Sequence, residues 1–156
     1  KKHEHEPVEE CEKIIANMPK RPEMQHYGSR AFYAPNKDHV VLPAKDHFTS
    51  ADGYYATAFH ELAHSTGHET RLNRKGITTP HSFGDASYSK EELCAEMGAA
   101  YLCGNCGISP TTIENSAAYI QSWLKALKDD NKLVVHAAAQ GHRAADYILN
   151  KQAGRA

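Results

Sequence analysis

No apolar run in this sequence approaches the roughly 18 residues that span a bilayer, and no apolar stretch behind a basic start opens it. Those absences argue against a membrane protein and against a secreted one. A basic excess is missing as well: 18 Lys and Arg against 19 Asp and Glu leave a net charge of -1. A domain that grips a phosphate backbone needs a basic face, so direct nucleic-acid binding by this chain is disfavoured. Cysteine is scarce, with four in 156 residues, and a domain of this length buries a core without staples. Reduced thiols in a cytoplasmic setting are therefore expected. Cys103-Gly-Asn-Cys106 has the spacing of half a zinc knuckle or of a redox pair, but no second pair completes four ligands. It also closes a predicted helix instead of opening one, where a thiolate would be favoured. Buried thiols are the better reading. The opening KKHEHEP lacks Met and is highly charged. Residues 1–6 are expected to fray and residues 7–156 to form one domain, cut or processed from a longer protein.

Three kinds of pattern follow along the chain. A helix is expected from Pro7-Val8-Glu9-Glu10, with Cys11, Ile14, Ile15 and Met18 on one face and Pro19 to Pro22 ending it. MQHYG, RAFYA and HVVLP then read as short strands of a small antiparallel sheet, punctuated by Gly28, Pro35-Asn36 and Pro43. Everything later looks helical. Thr49 or Ser50 caps a helix from about Ala51 to Thr66, stopped by Gly67. A long loop covers Arg71 to Tyr88, and Ser89-Lys90-Glu91-Glu92 fits a capping box for a helix to about Cys103. AAYIQSWLKALK, with Ile120, Trp123, Leu124 and Leu127 as a stripe, reads as another helix behind Pro110 and Asn115 or Ser116. Asp130 or Asn131 precedes a last one ending near Leu149. The fold class is α+β, a small sheet followed by a mainly helical layer.

The chemistry concentrates in FHELAHSTG, where His60-Glu61-Leu62-Ala63-His64 has the His-Glu-x-x-His spacing. On a helix, positions four apart differ by about 40° in direction and about 6 Å in height. His60 and His64 can thus aim both imidazoles at one zinc ion. Glu61 lies beside that stripe, placed to take a proton from a water that the metal acidifies. The motif arises by chance in roughly one chain in twenty of this composition, so it needs support. A catalytic zinc wants a third protein ligand and an open position.

His68 is a poor third ligand, because side chains eight apart on a helix span about 12 Å of axis. If Gly67 breaks the helix, His68 turns onto a loop. The metzincin pattern also fails, since Thr70 stands six residues after His64. Glu92 and Glu96, again four apart, border the core face formed by Leu93, Met97, Ala100 and Tyr101. The assignment made here puts Glu92 on the metal and lets Glu96 accept an N–H from a ligating imidazole, with the reverse order as the alternative. Glu91 reads as a solvated charge near a helix N-terminus. His136 and His142 read as packing or surface residues. His26, His39, His47 and His81 lack ligand spacing. HVVLP could offer an edge to an extended peptide, or be an ordinary core strand. Tyr88, Tyr101, Arg71 and His136 are equal candidates for stabilising an oxyanion.

In this order, EKIIANMP, RAFYAPNKDHVVLP, FHELAHSTGHETRLNR, EELCAEMGAAYL, AAYIQSWLKALK and HRAADYIL resemble the C-terminal zincin-like metallopeptidase domain of ArdC-type antirestriction proteins. The resemblance covers nearly the whole chain from about Pro7. It implies a gluzincin-like site, with His60 and His64 as ligands, Glu61 as base and a glutamate of EELCAE as third ligand. It also implies a mobile-element setting and a separate N-terminal domain that binds single-stranded DNA. The functional expectation is a zinc-dependent peptidase acting on a protein or peptide. The alternative is a zinc-bound interaction module with little turnover, and an accessory domain beside a DNA-binding part ranks third. Glu61, which metal binding alone does not need, favours the peptidase. A site of two histidines and one glutamate would also accept other divalent transition metals.

Overall fold

The computed structural model describes residues 2, 4–79, 86–109, 128 and 132–151. The predicted helix over AAYIQSWLKALK apart from Lys128, the caps read at Pro110 and Asn115 or Ser116, Asp130 or Asn131 before the last helix, and His81 lie outside those residues. Helix α1 spans Glu9–Asn17 and buries Cys11 and Ile15. Three strands follow, β1 at Glu23–His26, β2 at Phe32–Ala34 and β3 at His39–Leu42. The helical layer comprises α2 at Ala51–Ser65, a short α3 at Lys75–Thr78, α4 at Ala86–Cys106 and α5 at Leu133–Ile148.

The sheet is mixed, not purely antiparallel. Its order is β1-β3-β2, so the last strand lies in the centre. β2 and β3 form the expected antiparallel hairpin, with Phe32 opposite Val41, while β1 runs parallel to β3, with Met24 opposite Val40. The burial pattern explains the placement. Val40, Val41 and Leu42 are at most 2 % exposed, and a continuous apolar run suits a strand covered on both faces. β1 and β2 are more exposed and take the edges. HVVLP, paired on both sides, is the core strand and offers no edge.

Ser50 caps α2 by accepting a hydrogen bond from the Gly53 N–H at 3.0 Å, as its position predicts. The helix is buried nearly all round, with Tyr55, Ala58, Phe59, Leu62 and Ala63 at 0 % exposure. It lies between the sheet and α4, and α4 packs in turn on α5. α4 is already helical at Ala86, so Ser89 lies inside it, buried, and does not cap it. The predicted loop before it contains α3. Among the described residues, no helix is long and apolar enough to cross a membrane. Cys11, Cys94 and Cys103 are buried free thiols and Cys106 is half-buried.

Candidate metal centre

α2 and α4 meet at the motif. The full burial of α2 forces its polar stripe inward, and α4 meets that stripe with carboxylates. His60, Glu61, His64, Glu91 and Glu92 are between 3 % and 8 % exposed. One ligand atom from each of His60, Glu61 and His64 lies within 4.8 Å of the others. The two Nε2 atoms are 3.1 Å apart, with the rings nearly perpendicular at 82°. Glu92 reaches both: Oε2 is 3.3 Å from His60 Nε2 and Oε1 is 2.9 Å from His64 Nε2.

The outward-facing ring nitrogens also meet carboxylates. His64 Nδ1 lies 2.8 Å from Glu91 Oε2. His60 Nδ1 lies 3.3 Å from Glu96 Oε1, but off the line of an N–H bond, so this buried nitrogen has no aligned partner. Glu91 is thus no solvated charge. It is buried between His64 and Arg74, whose Nε and Nη2 donate to Oε1 and Oε2 at 2.9 and 3.0 Å. Arg74 was invisible to spacing arguments because it follows a loop. RLNR carries no periodic signal, and only the return of that loop onto α2 brings the guanidinium to Glu91.

Electrostatics follow from this crowding of carboxylates. Burial alone would push both imidazoles down. Glu92 and Glu96 instead hold His60 up at about 9, and Glu92 and Glu91 hold His64 well above the ordinary histidine value. Burial would raise Glu92, but His64 and His60 keep it well below the usual carboxylate range. Glu61 is different. Burial pushes its carboxyl up, and the two histidines only partly offset that. The ligand atoms of His60, Glu61 and His64 are thus close enough to hold a metal ion, and the carboxylates around them favour positive charge there.

The remaining sequence candidates lie elsewhere. His68 sits on the loop after α2, its Nδ1 2.9 Å from Thr70 Oγ1. Arg71 is tied to Asp38 by two 2.8 Å contacts. Tyr101 is 46 % exposed and stacks on His142, and His136 is exposed. His26 meets Tyr54 Oη at 2.8 Å, and His39 pairs with Glu23.

Fold and site together define a zincin-type domain. A family model described as zincin-like metallopeptidase matches residues 9–140, and the chain belongs to that family. It is structurally related to the antirestriction ArdC protein of plasmid R388. In the Mn(II)-bound crystal structure of that protein the identity is 35 % and the TM-score 0.79, covering 100 % of this chain and 56 % of that one. The metal-free structure gives 34 % and 0.75, covering 97 % and 54 %. Among protein sequences, the DNA primase TraC of Escherichia coli is 45 % identical over 122 residues, 78 % of this chain but 8 % of the primase. The uncharacterized protein y4eC of Sinorhizobium fredii (strain NBRC 101917 / NGR234) is 34 % identical over 149 residues, 96 % of this chain and 47 % of that protein. The chain thus spans about half the length of ArdC and y4eC and a small part of the primase.

Proposed function

We propose that this domain is a metal-bound module, zinc first among its metals, that engages a protein partner. His60 and His64 would hold the metal through Nε2 and Glu92 through its carboxylate. The observation that supports this most directly is the 3.1 Å approach of the two Nε2 atoms with one carboxylate on both. Glu96, beside His60 Nδ1, would orient that ring. The Mn(II)-bound state of the R388 relative supports a divalent metal. Near-total burial of the site favours holding a metal over rapid turnover.

Glu61 favours a second reading, a gluzincin-like peptidase. When bound, the metal would supply Lewis acidity that lowers the pKa of water. Glu61, raised by burial, would take the proton from that water as it attacks a peptide carbonyl, then return it to the leaving amine. Residues 7–156 would act as one domain in the cytoplasm, in an antirestriction-type mobile-element protein. Any contact with single-stranded DNA would fall to another domain, because this one carries a net charge of -1.

Measuring bound zinc and peptide cleavage for the native chain and for Glu61→Gln separates the readings. Both proteins are expected to bind one zinc. Cleavage by the native chain that Glu61→Gln abolishes would establish the peptidase, and no cleavage by either leaves the interaction module. A native chain that takes up no zinc would sink both.

A further inference from the structure

Arg74 makes more buried hydrogen bonds than any side chain of the described site, and nothing in the motif requires it. Its Nε and Nη2 grip both oxygens of Glu91. Nη1 donates to Thr66 Oγ1 at 2.7 Å, and Nη2 also donates to the Ala63 carbonyl at 2.8 Å. Those last contacts tie the guanidinium to the C-terminal end of α2, where the Ala63 carbonyl also accepts from the Thr66 N–H and hydroxyl. One guanidinium therefore joins the end of the motif helix to the carboxylate that holds His64.

The joint is built for close approach. A Cβ on Gly67 would meet Ile77 Cγ1 at 2.5 Å and Arg74 Nη2 at 3.0 Å, and one on Gly76 would meet Glu91 Cβ and Oε1 at 2.8 Å. Neither glycine has the positive φ of a left-handed turn, so they answer a need for space. The loop 66–74 closes on itself through the 3.0 Å bond from the Arg74 N–H to the Gly67 carbonyl.

We propose that Arg74 is a positioning residue for the metal site, acting through Glu91 to fix the ring of His64. A carboxylate paired on both oxygens with a guanidinium stays an acceptor, so His64 Nδ1 must carry hydrogen toward it. In the neutral ring that a metal binds, the lone pair is then confined to Nε2, the atom that faces His60 and Glu92. Lysine cannot replace this arrangement, because one ammonium cannot grip both carboxylate oxygens in a plane while also donating to Thr66 and Ala63.

The inference rests on the metal-binding reading above, so its test has an arm that needs no metal. In the metal-free protein, a nitrogen-edited NMR spectrum should show a slowly exchanging His64 Nδ1–H that Arg74→Met turns into a fast-exchanging one. Zinc affinity, measured by chelator competition, should fall about 10- to 100-fold in Arg74→Met, and Arg74→Lys should recover only part of it. Arg74→Met added to Glu91→Gln should weaken zinc no further than Glu91→Gln alone. Additive losses, or a folded Arg74→Met with a protected Nδ1–H and zinc affinity within about twofold of native, would overturn the proposal. If Arg74→Met does not fold, Arg74→Lys decides, and a native zinc affinity and native Nδ1–H protection in it overturn the proposal. If the native protein binds no zinc, the metal reading fails while the exchange measurement still decides the role of Arg74.

Discussion

Asp38 occupies a left-handed position, φ 53°, in the turn between β2 and β3, a conformation that Asp and Asn tolerate better than other side chains with a Cβ. From there it accepts hydrogen bonds from Tyr33 Oη at 2.7 Å and from two nitrogens of Arg71 at 2.8 Å, so it ties the hairpin to the loop that leaves the motif helix. Burial would raise this carboxyl, but Arg71 and Tyr33 hold it below its ordinary value. A folded-state value below the unfolded one gives stability that is full above about pH 5 and lost as pH falls through the folded value. Asp38→Asn, which keeps the turn, is expected to cost about 1–2 kcal/mol at pH 7 after allowance for partial exposure. Urea unfolding of both proteins between pH 7 and pH 3 should show that difference shrinking as the pH drops. At this scale the sequence is uneven. His60, Glu61 and His64 were legible because helical spacing is local. Glu92 and Glu96 were legible as carboxylates bordering an apolar face. Glu91 and Arg74 were not, because their pairing depends on a loop folding back, and Glu91 reads equally well as an ordinary first-turn acid.

The crossing of α4 and α5 depends on two glycines. A Cβ on Gly141 would meet Met97 Cβ at 2.8 Å, the Cys94 carbonyl at 3.0 Å and the Gly98 nitrogen at 3.1 Å. A Cβ on Gly98 would meet the Gly141 carbonyl at 3.2 Å and Ala63 Cβ, on the motif helix, at 3.4 Å. Backbone cannot yield as a flexible side chain can, so Gly141→Ala must push α5 from α4. Overpacking of this kind costs about 1–3 kcal/mol, which outweighs the gain of about 1 kcal/mol from replacing a helical glycine. Gly104, on the same helix as Gly98, has nothing within 4 Å of its Cβ direction. Gly104→Ala should therefore stabilise by about 0.5–1 kcal/mol. Opposite signs in two thermal melts check the pair, and a stabilising Gly141→Ala would refute the crossing. Helices α1, α2 and α5 were legible from their periods, and the Ser50 cap with them, whereas α3 falls in the predicted loop and α4 starts before the capping box assigned to it. The strand order was not legible: alternation identifies a strand but carries no direction for its neighbour, and the burial of β3 on both faces explains only why it lies in the centre. Gly67 does stand just behind the helix end, since α2 stops at Ser65 with Thr66 as its cap, but the sequence does not show that close packing against Ile77 and Arg74 also excludes a side chain there.

Across the whole molecule, the fold encloses two imidazoles and three acidic side chains at 3–8 % exposure, between α2 and α4. Enclosing so many ionisable groups is unfavourable unless charge is balanced there, so the metal-free domain is expected to carry a stability deficit that a bound cation removes. A ligand that binds only the folded state adds RT ln(1 + [L]/Kd), about 2.7 kcal/mol at 100 times Kd. For a chain of this length that corresponds to a rise in Tm of about 5–10 °C. Zinc should produce such a rise in the native protein and an excess of chelator should reverse it. The variants then separate the roles of the carboxylates. Glu61→Gln should keep the rise, because the proposed ligands remain. Glu92→Ala should abolish it, and Glu96→Ala should reduce it without abolishing it, because its carboxylate meets His60 only at Nδ1. A full zinc response in Glu92→Ala together with none in Glu96→Ala would reverse the order of the two glutamates, and the metal would then lie toward His60 Nδ1 instead of between the facing Nε2 atoms.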